Sequence, residues 1–221
     1  MAASIFIYNL LPDTQKIASD IYTTINTIPD DSTNYFNLEL LGENELSGEY
    51  FIVQTVSETF YNAEQRTFEV RQVQKASVVY FYIINNTFEI WGNRTNANRL
   101  IFALSKILKN NVSINAVELS IENIINKLKD IRVKVSKVCF EDFLFTEDIV
   151  GNFTVDLSTY SDALSVLNKY RTKISRMTLI LFSDGTALKA SISSKGTITV
   201  YKTRDSISED VLAMLHSILL K

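Results

Sequence analysis

Cysteine is almost missing from this chain. One thiol, Cys139, in 221 residues cannot close an internal disulfide, so an intracellular, cytoplasmic setting is the simplest expectation. Histidine is equally scarce: His216 is alone, which excludes any HExxH-type metal motif. The six glycines form no Walker loop, no GxGxxG and no nucleophile elbow. No apolar run reaches the length of a membrane span, and no membrane partner is expected. The opening MAASIFIYNLLPDTQK has no basic segment, and Tyr8 and Asn9 break its apolar stretch, so it does not read as a signal peptide. The Asn-x-Ser/Thr sequons at Asn85, Asn93, Asn111 and Asn152 then carry no glycosylation meaning.

What is present is the composition of a globular protein, 46% hydrophobic and 21% charged, with only Pro12 and Pro29 as prolines. A net charge of −3 argues against a dedicated nonspecific nucleic-acid binder. The charge is uneven. Residues 1–110 carry 8 basic and 12 acidic side chains (−4), and residues 111–221 carry 14 and 13 (+1). Lys129, Arg132, Lys134, Lys137, Arg171, Lys173 and Arg176 concentrate the basic excess, either as a solvated face or as a nucleic-acid patch. Abundant Asn, Ile and Lys suit an AT-rich prokaryotic or phage genome, where an accessory role in defence is one reading.

The chain also repeats a pattern about 110 residues apart. Thr87, Phe88, Ile90 and Trp91 fall on Thr197, Ile198, Val200 and Tyr201, and one inserted residue later Leu100, Leu104 and Ile107 fall on Val211, Leu215 and Ile218. Each copy is a hairpin running into an amphipathic helix. The pattern predicts an α+β fold of two tandem similar modules, residues 1–112 and 113–221, each an antiparallel sheet with helices on one face.

In the second module the signals predict a helix from a Ser120 cap, a strand over Arg132–Phe145 bulged near Cys139, and a strand in Asn152–Leu157. A helix over 160–170, capped by Ser158 or Thr159, comes next. Strands Ser175–Ser183, Thr186–Ser193 and Thr197–Thr203, turning at Asp184-Gly185 and Lys195-Gly196, precede a final helix from Ser206 or Ser208 to Leu220. The first module is expected to run through a helix at Thr14–Ile28, a strand at Tyr35–Leu41, a shortened helix at Ser57–Glu64, and strands Arg66–Val73, Ser77–Ile84 and Thr87–Gly92. Asn85-Asn86 serves as a two-residue turn.

Alternation assigns the strand faces. Ile198 and Val200 form the apolar set with Leu188, Ala190 and Ile192. Transferred by 110, Phe88 and Ile90 face the helices, whereas Val79, Phe81, Ile83 and Trp91 face away, with Tyr201 in the second copy. An exposed apolar patch of that kind marks a partner site.

Strand, helix, three antiparallel strands and helix, carried by Asn152–Leu157, 160–170, LILFSDG at 179–185, the turn at Gly196 and 206–220, resemble the TATA-binding-protein-like fold. The resemblance implies an open sheet face that meets DNA, and places Phe81, Trp91, Lys189 and Tyr201 there.

Catalytic signals are sparse. Cys139 reads as a small packed hydrophobe, His216 as a helix-face residue, and Glu141, Asp142, Glu147 and Asp148 as a solvated acidic turn. No cofactor, metal or enzyme activity is expected. The leading expectation is an interaction or assembly module that binds a protein partner, or itself, through an open sheet face. Alternatives are a nucleic-acid-binding subunit of a larger complex and a carboxylate-based hydrolase.

Overall fold

The computed structural model describes residues 3–11, 17–27, 34–109, 111–129, 131, 133–146, 149–183 and 185–219. It is α+β, with antiparallel strand pairs and five α-helices among the described residues. The chain forms two compact units, Tyr8–Asn115 and Met1–Ile7 with Ala116–Lys221. An N-terminal strand, β1 (Ala3–Leu11), was not anticipated from sequence; its residues divide between the units at Ile7/Tyr8.

The Tyr8–Asn115 unit follows β1 with α1 (Ile17–Asn26), β2 (Asn34–Gly42), β3 (Glu45–Asn62), β4 (Thr67–Ile84), β5 (Thr87–Gly92) and α2 (Arg94–Ile107). A short strand, β6 (Ser113–Ala116), ends it and was likewise unanticipated. Its sheet order is β2-β3-β4-β5. Ile17, Ala18, Ile21 and Ile25 make an apolar stripe at helical spacing, and α1 lays it on β2 and β3. The Asn93 side chain accepts from the Asn96 amide and starts α2, whose Ala97, Leu100 and Leu104 are buried.

Register puts Gly48, Phe81 and Ile90 in one cross-strand row and Leu46, Ile83 and Phe88 in the next. All of these side chains are buried. The Cζ end of the Phe81 ring sits against Gly48, where a Cβ would collide with it, and the ring meets those of Phe36 and Phe88 edge-on. Glycine is required at 48 by that approach.

The other unit continues with α3 (Ile121–Lys127), β7 (Val133–Thr146), β8 (Ile149–Asp156), α4 (Ala163–Lys169), β9 (Ile174–Ser183), β10 (Thr186–Ser193), β11 (Thr197–Val200) and α5 (Glu209–Leu219). Its order is β11-β10-β9-β7-β8, with the start of β1 paired to β11. Ser120 caps α3 as expected, whereas α4 starts later than predicted and is capped by Asp162. Met177, Leu179, Leu181, Ala190, Ile192, Ile198 and Val200 form the buried face. The stripe Val211, Leu212, Leu215 and Ile218 of α5 packs on β9.

Three sequence-based assignments are corrected by these elements. The Ser57–Glu64 segment is no helix but the end of β3, to Asn62, and the start of a turn, and the Arg66–Val73 and Ser77–Ile84 segments fall, from Thr67 on, in the single strand β4. Arg66 sits in the intervening turn at φ 56°, so it is not the counterpart of Arg176 in β9. The unit containing β7 has a strand and a helix, β8 and α4, between its first strand and its three-stranded meander; the Tyr8–Asn115 unit passes from β2 straight into β3.

Candidate interaction surfaces

Val79, Phe81 and Ile83 are not on an open face. They are fully buried, in the same rows as Tyr50, Ile90 and Phe88. The cause is loop length. Ile84 pairs with Thr87 across a two-residue turn, whereas the Ile192–Ile198 register sets Ser193 opposite Thr197 and leaves three residues, 194–196, in the loop. One residue in a hairpin loop moves every side chain of the preceding strand to the other face. The offset between the two hairpins is therefore 110 on β5 but 109 on β4, which sets Ala190 at the position of Phe81. Trp91 does point away from that core, beside Tyr80, but it is only 3% exposed. Its indole N–H donates to the buried Glu89 carboxylate.

The helix-free face of the Tyr8–Asn115 unit therefore carries Tyr80, Tyr82, Phe51, Tyr35, Glu49 and Glu89, by their rows with Trp91. Tyr35 stacks on Phe51 with ring centroids 4.5 Å apart. The face is aromatic and acidic.

From this sheet an arm projects. Among the described residues, Val53–Asn62 and Thr67–Ala76 pair only with each other, ten pairs in register. At about 3.4 Å per residue the ribbon is roughly 30 Å long. Asn62 forms the tip: its Oδ1 accepts from the amides of Glu64 and Gln65, and its amide donates to Glu69. That bond, then Arg71, holds the Glu69 carboxyl below the usual carboxylate range. Tyr61, Phe68 and Val70 share one face near the tip and are 58%, 74% and 69% exposed. At the base, the Arg99 guanidinium of α2 donates to the Gln54 side-chain oxygen. Sequence reading missed the arm because its turn, Ala63–Arg66, contains neither Gly nor Pro; the available signal was the Asx-type cap of Asn62.

A cleft of about 1200 Å³ opens between α1, β2–β3 and α2, lined by Ile25, Tyr50, Ile52, Arg99 and Phe102 among others. The connection 28–33 joins its α1 wall to its β2 wall and lies outside the described residues, so the cleft carries no ligand assignment.

On the other unit, the basic candidates separate into two groups. Lys134, Lys137 and Arg176 come together on the sheet face opposite α5. Lys134 and Lys137, three apart, would alternate to opposite faces in a regular strand; the register shift at Ser136 puts both on one. Lys189 joins them in the row Lys134–Ile180–Lys189. Tyr201, 51% exposed, stands across from Lys189, whose Nζ lies 5.5 Å from the ring centroid. Thr178 donates to Ser191 at 3.3 Å on the same face. Asp156 is its edge carboxylate, 4.0 Å from Lys137 and held below the usual range first by the hydroxyl and amide of Ser158. Lys129 and the Arg171–Lys173 turn belong instead to the helical segments, where Arg171 pairs with Glu122 at 2.6 Å. Arg132 lies outside the described residues.

The nucleophile and acid candidates do not converge. Cys139 Sγ is 3.2 Å from Thr154 Oγ1 on the polar face of β7, and His216 is on α5, across the sheet. Asp142 takes φ 50° at a second irregularity of β7 and its amide donates to Asn152; Glu147 and Asp148 lie outside the described residues. Among the described residues no three His, Cys, Asp or Glu group as a metal site, and no helix is long and apolar enough to cross a membrane. Comparison of the sequence with protein-family models and with curated proteins gives no match.

Proposed function

We propose that this chain is a nonenzymatic assembly module, whose binding element is the β3–β4 arm rather than the open sheet face, and whose occupant is a second copy of the chain. The exposed tip carries the reading. A two-stranded ribbon that pairs with no third strand among the described residues is marginal by itself, and Tyr61, Phe68 and Val70 leave apolar area exposed. Among the described residues nothing pairs with the outer edges of the arm, whose backbone donors and acceptors are a template for another strand. Residues 53–76 hold Glu58, Glu64 and Glu69 against Arg66, Arg71 and Lys75, a net charge of zero, so two identical arms meet without repulsion.

We further infer that the two units descend from one duplicated module. The meander-plus-helix β3-β4-β5-α2 has the same order as β9-β10-β11-α5, which supports that reading and leaves β8–α4 and the arm as the additions of each copy. The TATA-binding-protein-like resemblance is retained only as a proposal for the β8–α5 segment.

Light scattering on the eluting chain, across a range of loading concentrations, tests the assembly. The expected mass exceeds that of one chain and returns to it in the double variant Phe68→Asp, Val70→Lys. A single-chain mass for the unaltered protein at every concentration overturns the proposal.

A further inference from the structure

The polar sheet face of the unit built on β7–β11 has a different chemistry from the arm. Four exposed cations, Lys134, Lys137, Arg176 and Lys189, stand on it, with the Asp156 carboxylate at its edge. Beneath them the buried hydroxyls of Thr178 and Ser191 bond to each other, the part-exposed Thr199 lies alongside, and at the margins stand the exposed rings of Tyr201 and Phe182. Adjacent strands are about 4.8 Å apart, so Lys134 and Lys189, two strands apart, span about 10 Å. The Arg176 row is four residues further along β9, about 13 Å away.

We infer that this face binds a single-stranded nucleic acid, with the sugar–phosphate backbone crossing the lysines and bases stacking on Tyr201 and Phe182. Lys and Arg neutralise phosphates, and the part-exposed Thr199 hydroxyl is placed to donate to a phosphate oxygen. Exposed aromatic rings beside a basic track are the arrangement that stacks unpaired bases without reading sequence. A duplex is the poorer fit, because the face is a flat sheet with no helix or ribbon to enter a groove. An acidic protein surface would use the cations but leave the two rings idle.

Fluorescence anisotropy of labelled oligothymidylate and oligouridylate, titrated with the full chain, tests this. Binding is expected at low salt, with log K falling linearly in log salt. Lys134→Gln, Arg176→Gln and Lys189→Gln are each expected to reduce the slope by about 0.7. Tyr201→Ala is expected to weaken binding about tenfold. Lys129→Gln, outside the face, is the control and should leave both slope and affinity unchanged. The variants sit at exposed positions, and an unchanged circular dichroism spectrum certifies each fold. Failure to retain either oligonucleotide at low salt overturns the inference. So does an equal loss for Lys129→Gln and Lys134→Gln, or tighter retention on vesicles of acidic phospholipid than on the oligonucleotides. The arm-tip variant Phe68→Asp, Val70→Lys should bind the oligonucleotide normally per chain, which separates this face from the assembly surface.

Discussion

The two units solve the same packing problem with opposite choices. In the row under the helices of the Tyr8–Asn115 unit, the side chains run Gly48, Phe81, Ile90; in the other unit the matching row runs Leu179, Ala190, Val200. Small-then-large in one is large-then-small in the other. Each row fills its space, but the first depends on one ring seated on one glycine. The faces opposite the helices diverge as well. One is aromatic and acidic, around Tyr80, Glu49 and the buried Trp91–Glu89 pair; the other is basic, around Lys134, Lys189 and the buried Thr178. Cores tolerate such exchanges when volume is conserved, whereas the faces are free to specialise.

Removing the large partner of the first row should have the greatest effect. Phe81→Ala is expected to cost about 3–5 kcal/mol in urea unfolding, because Phe81 is fully buried against Gly48, Phe36 and Phe88. A cost under 1 kcal/mol would show that the row is not the keystone of this unit. The reciprocal insertions come next: Gly48→Ala drives a methyl into the Phe81 ring, and Ala190→Phe adds a ring to a filled row, each expected to cost about 1–3 kcal/mol. If Ala190→Phe were neutral, the two rows would not be complementary solutions to one volume. Helix caps should cost less. Asn93→Ala and Asp162→Ala each remove one side-chain acceptor from a helix start, at about 1 kcal/mol by the same measurement. Smallest of all should be Glu122→Gln. Its pair with Arg171 is half exposed on both sides, and a double-mutant cycle is expected to return under about 1 kcal/mol.

The second half of the chain was the more legible in sequence because its turns are marked. Gly185 and Gly196, both at positive φ, bracket strands of ordinary length, and Ser120 announces α3. The α+β class and the β5–α2 and β11–α5 units could be read from periodicity for the same reason. Three things could not. The arm has no turn glycine, so the end of β3 reads as a short helix and β4 as two separate strands. The burial of Phe81 turned on one residue of loop length, which carries no compositional signal. The basic cluster turned on an irregularity at Ser136, and alternation alone would have placed Lys134 and Lys137 on opposite faces. Each is a matter of register, set by pairing with a partner strand that is distant in sequence.

The arm also has a mechanical meaning. Neither Gly nor Pro occurs anywhere in residues 53–76, and β3 and β4 each run unbroken from the tip to the rows that seat Phe81. There is no swivel between the end that projects and the end that is anchored. A pull at Phe68 is therefore carried as shear along two covalent backbones to the Gly48–Phe81 contact, instead of being absorbed by a hinge. The ribbon's length sets how far its tip stands from the core, and a load at that tip is reported to the place where this unit has least room to yield.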